Sequence, residues 1–173
     1  MIEQNCVACH ARDATTGLAR TLAKLATLES EIAPRLAALG PPSLTGVGDK
    51  LHEKALAAIL TGKDLPRRPW LAVQMPKYQF TESEIESIVG EVVARDRIPE
   101  LQRSTPELPI GKAAALAAAR LVTAEGFGCQ SCHKIGSVEP PKVAINAHGT
   151  DLTMLGDSVR PSWFRRWVHN PSR

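Results

Sequence analysis

The chain has four cysteines, and they fall into two identical frames: Cys6-Val7-Ala8-Cys9-His10 and Cys129-Gln130-Ser131-Cys132-His133. In this frame two thiols can add to the two vinyl groups of one porphyrin while the adjacent histidine ligates its iron. The frame occurs twice and consumes every cysteine. Other uses of paired cysteines fit less well. A thioredoxin-like couple needs a strand–helix–strand setting, and no strand pattern surrounds either pair. Two cysteine pairs sharing one zinc ion usually lie roughly 12–20 residues apart, whereas these stand near opposite ends of the chain. A disulfide closed within such a short frame is strained. The residues point to two covalently bound haem c groups, with Cys6, Cys9, Cys129 and Cys132 as attachment points and His10 and His133 as proximal iron ligands.

Elements must hold those residues in place, and composition limits what they are. The chain has 173 residues, of which 4% are aromatic, and a formal charge of +3. Two haems favour two units of modest size, in which the macrocycle supplies apolar bulk that the sequence lacks. Haem propionates bring the assembled charge to roughly −1, which removes the case for nucleic acid as a partner. No apolar run is long enough to span a bilayer. The first residues show neither the basic nor the apolar region of a secretory signal. Haem attachment of this kind takes place outside the bacterial cytoplasm. A periplasmic or other extracytoplasmic location is therefore expected, with the signal or anchor lying outside this sequence.

Helical periodicity recurs along the chain, and strand signals are weak. Leu18, Leu22, Leu25, Leu28, Ile32, Leu36 and Leu39 form a helical stripe, which Pro34 is expected to break or kink. Leu51, Ala55, Leu56, Ile59 and Leu60 form one face of a helix predicted over Asp49–Thr61, with Gly62 as its stop. Thr81-Glu82-Ser83-Glu84 is a capping box. It opens a helix carrying Ile85, Ile88, Val89, Val92 and Val93 on one side. An alanine-rich helix over about Ile110–Glu125 leads into the second cysteine frame. The class expected is all-α, divided into a first domain at 1–97, a proline-bearing linker at 98–109 and a second domain at 110–173.

A short internal repeat supports that division. Ser43-Leu44-Thr45-Gly46-Val47-Gly48-Asp49 aligns without gaps with Asp151-Leu152-Thr153-Met154-Leu155-Gly156-Asp157, and a helix follows each copy, the second at Pro161–His169. With a cysteine frame, a loop bearing Pro42, Leu44, Gly46 and Gly48, a helix, the Met75-Pro76 step and the capped helix from Thr81, the chain resembles the class I bacterial c-type cytochromes. The likeness covers nearly all of residues 6–95 and, less completely, 110–173. It implies two class I cytochrome c-like haem domains in tandem, the second incomplete at its C-terminus, within a longer protein.

The sixth iron ligand governs the chemistry, because a thioether opposite histidine raises the reduction potential. Met75 lies in an irregular stretch bounded by Pro69 and Pro76. With Phe80 near it, the resemblance makes it the sixth ligand of the first haem; the alternative is a gap-filling core methionine. For the second haem three answers stay open. The ligand lies beyond Arg173, or Met154, His148 or His169 supplies it, or the site is open. Met154 aligns with Gly46, a loop position, and the counterpart of Met75 falls past the end of the sequence. Arg67, Arg68 and Trp70, and with less support Lys142 and Arg160, are candidates for holding propionates.

No convergent set of acid, base and nucleophile is visible. The function expected is electron transfer between a redox-protein donor and acceptor, with no enzyme activity of the chain's own. Two other readings remain. One is a haem enzyme, such as a di-haem peroxidase or sulfur-compound oxidoreductase, with an open second haem. The other is a cytochrome module of a larger membrane-bound or multidomain redox complex.

Overall fold

The computed structural model describes residues 4–31, 33–63, 66–99, 111–144 and 147–171. Among them the regular structure is helical, without strands, and the only β-pairing is in three isolated antiparallel bridges. The α-helices are α1 (Ala19–Leu28), α2 (Leu36–Leu39), α3 (Val47–Lys50), α4 (Glu53–Leu60), α5 (Glu82–Asp96), α6 (Lys112–Leu121), α7 (Leu155–Ser158) and α8 (Pro161–His169). Most of the expected linker, from residue 100 onward, lies outside the described residues.

The chain forms two compact units, residues 1–98 with 156–173, and residues 99–155. Residues 156–171, placed with the second cysteine frame on sequence grounds, thus group with the first unit. Main-chain bonds hold them there. Leu51 and Val159 form an antiparallel bridge, flanked by His52 N–H donating to the Ser158 carbonyl at 3.0 Å and Arg160 N–H donating to the Lys50 carbonyl at 2.9 Å. The paired residues directly follow the two aligned stretches, Leu51 two residues after Asp49 and Val159 two residues after Asp157.

That pairing also accounts for a departure from the sequence reading. The helix predicted over Asp49–Thr61 is interrupted: Leu51 and His52 are extended, with ψ of 148° and 150°. The bridge to Val159 takes main-chain groups that a continuous helix would have used. Beyond the break α4 ends as expected. Gly62 has a φ of 65°, its N–H bonds to the Ile59 carbonyl at 3.2 Å, and Lys63 N–H reaches Ala58 at 3.0 Å, closing both links of a Schellman motif.

The leucine stripe is broken ahead of Pro34, which itself lies in a 3-10 turn leading into α2. α1 ends at Leu28, and the chain resumes as a 3-10 turn, Ala33–Arg35, before α2. α5 has its capping box: Thr81 Oγ1 accepts from Glu84 N–H at 3.3 Å, and Glu84 Oε2 accepts from Thr81 N–H at 2.8 Å. Its buried residues are Val89 and Val92, packed against α3 and α4. Gly48 makes the close crossing possible, since a Cβ there would stand 2.3 Å from the Val92 carbonyl oxygen. Leu36, Leu51, Ala55, Leu71 and Val159 complete the described buried apolar set.

In the other unit, α6 is solvent-exposed along its length. Its C-terminal end is fastened to the second cysteine frame. Gln130 N–H donates to Val122 at 3.0 Å and Gly128 N–H to Thr123 at 2.9 Å.

Candidate functional site

Both cysteine frames fold into the same backbone. In the first, Asn5 takes the left-handed conformation, with φ of 52°, and Cys6–Ala8 forms a single 3-10 turn. His10 N–H closes on the Cys6 carbonyl at 3.0 Å. The chain then turns tightly, with Arg12 and Thr15 bridged and Asp13 at φ 51°. In the second, Gly128 is left-handed at φ 67° before the Cys129–Ser131 turn. His133 N–H closes on Cys129 at 3.0 Å, and the next turn bridges Ile135 with Val138 around Gly136 at φ 62°. The match extends well past the motif, since residues as different as Asn5 and Gly128, or Asp13 and Gly136, adopt the same uncommon backbone region.

The histidines are held alike. His10 Nδ1 lies 2.7 Å from the Pro42 carbonyl oxygen, and His133 Nδ1 lies 2.7 Å from the Thr150 carbonyl oxygen. Pro42 and Thr150 immediately precede the two aligned stretches of the repeat. In both copies the next bond is conserved in form: Leu44 N–H donates to Ala11 at 2.8 Å, and Leu152 N–H donates to Lys134 at 2.9 Å. A carbonyl oxygen can only accept, so each Nδ1 carries a proton, and in the neutral ring Nε2 is then the nitrogen with the lone pair. This arrangement fixes tautomer and ring direction and raises the basicity of a ligating imidazole. The four thiols are free, three of them half-buried and Cys9 exposed. Each frame thus offers two thiols and one oriented nitrogen donor, the donor set that a covalently attached haem requires.

The second ring is also confined sterically. A Cβ on Gly149 would stand 2.3 Å from His133 Nδ1 and 2.4 Å from its Cε1, so only glycine lets the chain pass the ring. Nearby, Asp151 Oδ1 accepts from the Thr153 hydroxyl at 2.6 Å and from Thr153 N–H at 2.9 Å. These bonds, the hydroxyl first, hold its carboxyl below the usual aspartate value. Asp151 thereby caps the 3-10 turn Leu152–Met154, which places the half-buried Met154 at that turn's end.

Met75 is 40% exposed, in the irregular run between Leu71 and α5. Tyr78 and Phe80 stack nearby in sequence, with ring centroids 5.1 Å apart. Of the propionate candidates, Arg68 Nη1 is spent on the carbonyls of Ala38 and Gly40, at 2.8 and 2.9 Å, and Arg67 Nη2 donates to Ser158 Oγ at 3.0 Å. Arg160 is buried and pairs with Glu53 at 2.7 Å, which lowers the Glu53 pKa. His148 is half-buried and His169 exposed. Trp163 and Trp167 stack at 5.9 Å. Lys50 is exposed as a residue, yet its ammonium lies 4.8 Å from the Trp163 ring centroid. Partial desolvation, then repulsion by Arg67, lowers its pKa.

Two polar clusters were not visible to sequence reasoning. Arg12 forms a two-pronged ion pair with Asp96, at 2.6 and 3.2 Å. Asp49 is buried and accepts from Ile98 N–H at 3.1 Å and from the Arg166 guanidinium. Their partners lie far apart in the chain, and no local pattern marks them. Among the described residues, no cluster of three or more His, Cys, Asp or Glu side chains suits a metal ion. Comparison of the chain with protein-family models, curated proteins and solved structures gives no match.

Proposed function

We propose that this chain is a di-haem c-type cytochrome that carries single electrons between redox-protein partners, with class I-like haem domains in tandem. One observation carries the reading: two Cys-x-x-Cys-His turns with one backbone geometry, each delivering its histidine Nδ1–H to a main-chain carbonyl at 2.7 Å. A zinc or dithiol site needs no such duplicate orientation of the imidazole. The donor set fits haem c, and the thiols of Cys6, Cys9, Cys129 and Cys132 would tether it by adding S–H across its vinyl double bonds, with no net oxidation. When bound, the group supplies an iron that cycles between ferric and ferrous states.

The chain's own residues set the conditions for that cycle. His10 and His133 present Nε2, and their carbonyl partners keep both rings electron-rich, which favours the oxidised metal. For the first haem we assign Met75 as the residue that would hold the iron together with His10. Its 40% exposure sets it apart from a gap-filling core residue, and a thioether there would raise the potential. For the second haem, Met154 and His148 are the candidates that lie in the same unit as His133. Large apolar side chains left exposed, among them Leu18, Leu25, Leu39 and Phe127, are consistent with an apolar macrocycle as a partner for the core. An extracytoplasmic location follows from the attachment chemistry, and the chain would work either alone or within a larger redox complex.

Two measurements test this proposal. A pyridine haemochrome assay on protein matured with a bacterial haem-attachment system is expected to give two haems c per chain, and a redox titration two one-electron waves. A protein lacking the haemochrome bands would refute it.

A further inference from the structure

The two histidines share a first partner but differ in what stands behind it. Arg12, two residues after His10, is 5% exposed, and its partner Asp96 is 7% exposed. Besides its two bonds to Asp96, Arg12 Nη1 donates to the Leu44 carbonyl at 2.9 Å. Leu44 is two residues from Pro42, the acceptor of the His10 proton, and its own N–H is bound to Ala11. Asp96 is the last residue of α5 and also accepts from Gly48 N–H at 2.9 Å, at the start of α3. One guanidinium therefore ties the segment after His10 to the loop carrying the Pro42 carbonyl, and Asp96 anchors both to two helices. At the matching place in the second turn stands apolar Ile135, and the neighbouring Lys134 pairs instead with Glu139 at the surface.

We propose that the Arg12–Asp96 pair is a positioning device for His10: it holds the Pro42 carbonyl against His10 Nδ1, and so tunes the first haem independently of the second. The inference rests on the reading of His10 as an iron ligand. A buried ion pair is weak evidence for stability, since desolvation offsets most of its attraction, and fixing one geometry is its better-attested use. The second turn shows that an apolar residue can occupy the position without loss of the histidine–carbonyl bond. What the pair adds is a rigid support, and the strength of the Nδ1–H bond sets how electron-rich the ligating ring is.

The test uses the two-haem protein with the double substitution Arg12→Ile and Asp96→Leu, which removes both charges together. Exchange of the His10 Nδ1 proton with deuterium, followed by NMR, is expected to quicken because its carbonyl partner opens more readily, with His133 unchanged as the internal control. The first haem's midpoint potential is expected to rise, because a less electron-rich imidazole stabilises ferric iron less. Arg12→Lys keeps the charge but loses the fork. It is expected to show an intermediate change at His10, and it provides the readout if the double variant fails to mature. Unchanged exchange and potential at His10, or equal acceleration at both histidines, would overturn the proposal. A wild-type chain carrying fewer than two haems would instead remove the reading beneath it.

Discussion

His10 and His133 reach their carbonyl partners over chain separations of 32 and 17 residues, and this difference separates the two regions. In the first, the longer connection holds α1, the Ala33–Arg35 turn and α2, and a buried arginine fork links the returning loop to α5. In the second, a short connection brings Gly149 directly against the His133 ring. One region steadies its histidine with a distant salt bridge and the other with close backbone approach. The same donor geometry has two independent physical supports, so the geometry itself is the shared requirement.

Substitutions that remove one support and leave the other sharpen this contrast. The largest effect is expected from Asp96→Ala. It leaves the Arg12 guanidinium buried without its carboxylate and also takes the acceptor from Gly48 N–H, so a cost of about 3–5 kcal/mol is expected. Chemical denaturation would measure it, and hydrogen exchange should place the loss in the first unit, with the Cys129–Ser131 turn unaffected. Gly149→Ala reverses the pattern. Its Cβ must displace the His133 ring or the backbone, at about 1–3 kcal/mol, and the second haem's spectrum should change while the first stays as it was. Equal disturbance of both haems by either variant would contradict the independence of the two supports.

A smaller effect is expected at α5, the wall on which Asp96 stands. Thr81→Ala removes the cap and should cost about 1 kcal/mol. The Glu84 carboxyl is held below its usual value by the Thr81 N–H, then by the Thr81 hydroxyl. A lowered folded-state value means its contribution is complete above the ordinary glutamate range and disappears as pH falls through the folded value. The acid limb of the stability–pH curve should therefore be flatter in Thr81→Ala than in the parent. The smallest effect belongs to the surface pair beside the second histidine: Lys134→Ala is expected to leave the melting temperature unchanged, because this solvated ion pair contributes little.

What the sequence disclosed, and what it did not, follows from the range of the interactions. The cysteine frames, the capping box at Thr81 and the stop at Gly62 are written in neighbouring residues, and each appears where the local pattern places it, whereas the break in the leucine stripe falls after Leu28, ahead of Pro34. The break at Leu51 and His52 is not written locally, because those residues have helical periodicity and give it up only to pair with Val159, far along the chain. The grouping of residues 156–173 with the first unit depends on the same bond and on Asp49 with Arg166. The short repeat was legible, but not that the residues just after its two copies would pair. Arg12 and Asp96 were likewise invisible, being ordinary charged residues 84 positions apart. Their partners are chosen by the folded chain, so spacing alone carries no trace of them.

Equivalence of the two cysteine frames as attachment sites can be read from the intact mass of the denatured, matured protein and of its two cysteine-pair variants. The parent chain is expected to carry the added mass of two haems, and Cys6→Ser/Cys9→Ser and Cys129→Ser/Cys132→Ser the mass of one each. A parent chain whose mass equals the bare polypeptide would contradict it.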